Sequence, residues 1–142
     1  MKIVVVGGGK VGYYLVKILV EHGYNVSLVE MDERRCQLIA EEMGILSVKG
    51  DGTDITTLVD AGVDTADAVI AATGKDEVNF VICQIAKRRL GVKKTITRVN
   101  NPKNREVLKR LGVDIVVSGT DLIINAIEEI IQEVQDVKKD TI

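Results

Sequence analysis

The sequence predicts an α/β fold in which six parallel strands form a doubly wound sheet with helices on both faces. Three observations lead there. Short β-branched runs alternate with longer stretches of helical periodicity along the whole chain. Glycines follow the helical stretches at Gly23, Gly44, Gly62, Gly91 and Gly112, as expected of the left-handed residue that closes a helix. The first strand then runs directly into three consecutive glycines, a strand-to-helix turn that needs backbone without side chains.

Each element follows from its own run of residues. The first strand is IVVV at 3–6, and the helix after it, 10–22, begins in the glycines and closes at His22 and Gly23. NVSLV at 25–29 is the second strand, with a helix at 32–43 that Gly44 ends. LSVK at 46–49 is the third strand, followed by a short helix at 54–61 before Gly62. AVIAA at 68–72 is the fourth, and the helix at 76–90 stops at Gly91. TITR at 95–98 is the fifth, with a helix at 102–111 before Gly112. IVV at 115–117 is the sixth, and a last helix covers 120–135. With 142 residues the chain is expected to be a single domain spanning 1–142, large enough to bury a real core.

Composition narrows the function. Hydrophobic residues make up 46 % and charged residues 28 %, as in globular proteins. A net charge of -2, one Phe, three Tyr and no Trp give nucleic acid neither an electrostatic footprint nor stacking platforms. No apolar run approaches the roughly 20 residues that span a bilayer, and the N-terminus lacks the regions of a signal peptide. Cys36 and Cys83 sit inside helical patterns without a CxxC or Cys/His cluster, as structural thiols of a reducing compartment do. A cytoplasmic protein is expected, with no direct membrane insertion.

Gly7, Gly9 and Gly12 match GxGxxG after a strand and at the opening of a helix, the signature of a Rossmann-like nucleotide fold. The glycines give a tight turn, close approach of backbone to pyrophosphate, and close packing of helix on strand, while the helix start attracts phosphate. The second strand ends at Glu30, 18 residues beyond Gly12, where a carboxylate can accept both hydroxyls of the adenosine ribose. A 2'-phosphate beside that carboxylate would be repelled by about 4 kcal/mol at an effective dielectric of roughly 20, which favours NAD(H) over NADP(H). Arg34 and Arg35 follow on the first turns of a helix, a place where such side chains more often face water. Asp51 and Gly52, after the third strand, and Thr73 and Gly74, after the fourth, lie on the carboxyl edge where such sheets bind ligands. Asp76 and Glu77 read as helix caps.

Enzyme chemistry has little to stand on. A dehydrogenase needs a proton donor or acceptor beside the nicotinamide and room for substrate. The only histidine, His22, closes the first helix at the end remote from the glycine loop. Tyr13 and Lys17 have YxxxK spacing but follow the loop immediately, so the match is read as accidental. Asp51, Asp54 and Asp60 fit no metal-binding loop and lack His or Cys support. A small NAD-dependent oxidoreductase is the alternative reading, and turnover of NADH would be its sign.

The chain resembles the N-terminal domain of the Trk/Ktr potassium-transport regulators, the TrkA type, also called the KTN or RCK fold. The resemblance is carried by VVGGGKVGYYL in the glycine loop, GDGTD at 50–54, ADAVIAATGKDEVN at 66–79, TRVNNP at 97–102 and LGVDIVVS at 111–118, and it runs from Met1 to about Ile131. It implies a non-enzymatic regulatory subunit that binds NAD(H), with ATP and ADP as further ligands, and gates a separate membrane-embedded potassium transporter from the cytosolic side. Carried over, Gly7, Gly8, Gly9, Lys10 and Val11 would surround the pyrophosphate, with Gly12 completing the loop, and Glu30 would hold the ribose. Asp51 and Gly52 would face the adenosine half and Thr73 and Gly74 the second ribose or nicotinamide. Arg98 would supply a positive charge to the far end, a role that the resemblance alone assigns. Lys10 stands where Ktr relatives often carry arginine, which replaces a bidentate fork by a point charge and counts against triphosphate preference. The chain also stops before the smaller C-terminal ligand domain usual in this family.

From Leu122 to Val134 the apolar residues cover about 200° of the last helix, wider than the stripe of roughly 100° that a surface helix needs. Ile123, Ile127, Ile130 and Val134 do not share one surface with Leu122 and Ala126, so a second surface is expected. In the family it would be a neighbouring subunit, in a homodimer or higher oligomer; otherwise it is a groove of the domain itself.

Overall fold

Strands buried on both faces need near-continuous apolar runs, and β1 (Lys2–Val6) has one in which Ile3 to Val6 are all buried. In this computed structural model, which describes residues 1–140, the chain continues through α1 (Lys10–Glu21), β2 (Asn25–Glu30), α2 (Glu33–Met43), β3 (Leu46–Lys49) and α3 (Ile55–Asp60). It is completed by β4 (Ala68–Ala71), α4 (Asp76–Gln84), β5 (Lys94–Val99), α5 (Arg105–Arg110), β6 (Ile115–Ser118) and α6 (Gly119–Asp140). All strand pairings are parallel, in the order β3-β2-β1-β4-β5-β6. This is the expected six-stranded, doubly wound Rossmann-like sheet. The order reverses between β1 and β4, so their carboxyl ends diverge and open a crevice.

The helix ends follow local chemistry. The side chains of Asp32 and Asp54 accept the N–H groups of Arg35 and Thr56 and so start α2 and α3. All five glycines expected to end helices have positive φ. Two expected helices are not uniform. The helix placed at 76–90 widens after Gln84 into a π turn, Ile85–Arg89, with Leu90 N–H bonded to Ile85 O. The one placed at 102–111 begins as a 3-10 turn, Pro102–Asn104, because Asn101 caps Lys103 N–H and proline fixes the first position.

Side chains of alternate strand residues build two cores. Val4, Val6, Val69 and Ala71 pack with Leu58, Ile82 and Leu108 on one face, and Ile3, Val5 and Leu28 with Val16 and Ile39 on the other. On this second face α1 and α2 lie over β1 to β3. The register places Ile70, Ile96 and Ile115 in one row across β4, β5 and β6 on that face, with Val117 two residues further along. Ile115 is 43 % exposed, and Val11, Tyr14 and Ile18 are exposed on α1.

α6 is longer than the 120–135 expected, and none of its residues is buried. Ile123 is 63 % and Ile130 59 % exposed. The domain's own groove is therefore not what covers the wide apolar face. Among the described residues no helix is long and apolar enough to cross a membrane.

Candidate functional site

At the switch point the carboxyl ends of β1, β2, β4 and β5 surround a cleft of about 300 Å³. Eight of the residues singled out in the sequence line it together: Gly7, Gly9, Glu30, Asp51, Gly52, Thr73, Gly74 and Arg98. Lys10 and Gly8 instead border a second hollow between α1 and α2, with Gly9, Tyr13 and Arg35. Val11 is exposed on the first turn of α1, and Gly12 is buried beneath the loop.

The glycine loop is built by close backbone approach. Gly7 has φ of +108°, and a Cβ there would lie 2.9 Å from the Ala72 carbonyl carbon, so no side chain fits between β1 and the β4 end. Gly9 is the N-cap of α1 with no side-chain cap bond, and a Cβ on it would meet nothing within 4 Å, so open space lies over the helix start. The first helical bond closes from Tyr13 N–H to Gly9 O, which leaves the N–H groups of Lys10, Val11 and Gly12 as donors at the positive end of the helix dipole. An anion is the matching occupant.

Glu30 fixes the opposite end. It is 8 % exposed, and its Oε1 accepts Gly8 N–H at 3.3 Å, which ties the end of β2 to the loop. Arg35 Nη1 lies 3.5 Å from the same oxygen. This corrects the expectation that Arg35 simply faces water: although the side chain is half exposed, it lines the cleft beside the carboxylate. Asp51 Oδ1 accepts both the N–H and the hydroxyl of Thr53, and these bonds hold its carboxyl below the ordinary 3.8. It is a hydrogen-bond acceptor and not a proton donor at neutral pH. Tyr13 donates its hydroxyl to Glu42, a bond that raises the phenol's pKa, the reverse of what a proton-abstracting tyrosine needs.

Two residues of the site escape sequence reasoning. Asp76 does not cap its helix: it is buried, and its carboxylate accepts Asn100 N–H at 2.7 Å, Asn101 N–H at 3.0 Å and Asn104 Nδ2 at 2.8 Å, which fastens the β5–α5 turn to the start of α4. Asn79, fully buried, joins Thr73 to Arg98. A carboxylate and an amide on the inward side of an otherwise apolar helix are the sequence signal that could have found them.

Burial alone would raise the Asp76 carboxyl, but the bonds from Asn100, Asn101 and Asn104 outweigh it and bring it below 3.8. Its stabilising contribution is therefore complete above that ordinary value and disappears as pH falls through the lower folded value. In urea denaturation the midpoint should stay level from pH 7 to about 5 and fall below 4. Asp76→Ala should lower the plateau by roughly 2 kcal/mol and make the acid decline shallower.

A family model described as the TrkA-N domain matches residues 3–119. The chain is 42 % identical over 118 residues to a Trk system potassium uptake protein TrkA homolog from Methanothermobacter thermautotrophicus, covering 83 % of this chain and 54 % of that protein. It thus spans about half the length of that relative. Among solved structures, the NAD(P)-binding domain of an exopolyphosphatase-related protein from Archaeoglobus fulgidus superposes with a TM-score of 0.77 at 28 % identity, covering 92 % of this chain and 97 % of that one. The GsuK channel bound to NAD gives 0.71 at 25 % identity, over 82 % of this chain and 21 % of that one.

Proposed function

Because this chain belongs to the TrkA-N domain family, we propose that it is a regulatory domain that binds NAD(H), with ADP and ATP as weaker alternatives, and gates a membrane-embedded potassium uptake transporter from the cytoplasmic side. The observation that carries the ligand is the pairing of free amides at the start of α1 with the Glu30 carboxylate across one cleft. The amides suit a pyrophosphate and the carboxylate suits a ribose diol, so one adenosine diphosphate unit satisfies both. Lys10, Val11 and Gly8 contribute through the backbone of the loop, Asp51 and Gly52 at the adenosine half, and Thr73, Gly74 and Arg98 at the second half. The relatives named for NAD and for potassium uptake support this reading.

The output is an oligomer. We take 1–142 as one nucleotide-binding unit and 120–135 within α6 as its interface. Ile123, Ile127, Ile130 and Val134 recur at spacings of four, three and four, the seam of a helix that packs on another surface. The sheet face at Ile96, Ile115 and Val117, with the exposed side of α1, is apolar and offers a second copy's α6 that surface. Ligand spanning the carboxyl edge then biases the angle between two domains, since ligands of different charge have different affinities for the two arrangements.

Small-angle scattering with NADH, NAD+ and ATP tests this: the dimer's dimensions should differ between ligands. Aspartate at Ile123, Ile127 and Ile130 together should give a monomer by light scattering with the cleft's ligand affinity kept. Identical dimensions in every state, or a monomeric unmodified chain, would remove the gating mechanism.

A further inference from the structure

β4 and β5 pair as far as Ala71 and Thr97, and Thr73 and Arg98, just beyond that last pair, both line the cleft. The buried side chain of Asn79 joins the two. Asn79 Oδ1 accepts Thr73 N–H at 3.0 Å and the Thr73 hydroxyl at 2.6 Å, while its Nδ2 donates to Thr73 O at 3.1 Å and Arg98 O at 3.2 Å. The amide has two acceptor sites and two N–H donors, so all four are used. Only one orientation works, because two carbonyls must face the NH2 and the Thr73 N–H must face the oxygen. Asn79 is 0 % exposed, so none of these bonds exchanges with water. Asn100 Nδ2, itself held by Asp76, adds a second strut to the Thr73 carbonyl at 3.3 Å.

We propose that Asn79 is the positioning residue for the second half of the dinucleotide: it clamps the β4 and β5 ends so that Thr73 and Arg98 face one bound ligand. This rests on the reading of the cleft as a dinucleotide site. The bonds of Asn79 reach Thr73 and Arg98 and none of the groups assigned to the adenosine half, the amides of α1 and Glu30. The clamp therefore acts on ligands that have a second half and leaves those that lack one unaffected. A buried asparagine that merely holds the fold together would affect both alike.

Calorimetric titration with NADH and with AMP separates the two. Asn79→Leu, close in size and without polar atoms, should weaken NADH about tenfold or more and change AMP by less than about twofold. Asn79→Asp keeps the acceptor toward Thr73 but sets a second oxygen against two carbonyls. Relative to the unmodified chain its NADH affinity should fall as pH rises between about 5 and 8 and the carboxyl loses the proton it would donate, while its AMP affinity should follow that of the unmodified chain at every pH. Equal losses for NADH and AMP, or NADH binding unchanged in both variants, would overturn the clamp while leaving the nucleotide cleft standing. Binding of neither ligand by the unmodified chain would overturn the cleft reading and the clamp with it.

Discussion

Replacing Gly12 by alanine is expected to lower stability by about 3 kcal/mol or more and to abolish nucleotide binding. A Cβ at this position would lie 1.7 Å from Gly7 O and 2.8 Å from Gly7 C, and both are backbone atoms that no rotamer change can move aside. The first turn of α1 would have to lift away from β1, taking with it the N–H groups of Lys10 and Val11 that we propose serve the ligand. Gly9→Ala is the matched control: its Cβ would meet nothing within 4 Å and its φ is -69°, so the fold should tolerate it while the methyl group intrudes on the cleft. Urea denaturation of both variants gives the comparison. An unchanged midpoint for Gly12→Ala would mean that helix and strand are not in the contact described.

Glu30→Ala should cost NADH about 2 kcal/mol of binding, roughly a thirtyfold weakening, through loss of the carboxylate proposed to accept the ribose hydroxyls. The same variant should erase the preference for NADH over NADPH. The size of that preference depends on Arg35. A bare carboxylate would repel a 2'-phosphate by about 4 kcal/mol at an effective dielectric of roughly 20. A guanidinium 3.5 Å from Glu30 Oε1 offsets part of this, and because Arg35 is half exposed the offset is screened and incomplete. NADH should therefore win by about tenfold in the unmodified chain, and Arg35→Ala should widen the gap. Calorimetry on the three chains measures each step; an NADH-to-NADPH affinity ratio that is the same in the unmodified chain and in Glu30→Ala would exclude Glu30 as the discriminating group.

Local signals made most of the fold legible. β-branched runs marked all six strands, and glycines marked the helix ends, because both act through the conformation of their own residues. The glycine loop and Glu30 were legible for the same reason, as their spacing on consecutive elements fixes where they meet. Arg35, Asp76 and Asn79 were not, since their roles depend on what folding brings near. Asn79 meets Arg98 across 19 residues and Asp76 meets Asn104 across 28. Residue type at one position carries no record of such a partner. The start of the helix expected at 102–111 went astray more simply, through the 3-10 turn that Pro102 and Asn101 impose.

The two-ended grip on one adenosine diphosphate unit is tested most directly by titrating the unmodified chain with NADH, ADP and NADPH in a calorimeter. One NADH per chain is predicted, with ADP competing for the same site and NADPH about tenfold weaker. A cleft that stays empty at millimolar ligand, or NADPH bound as tightly as NADH, would contradict it.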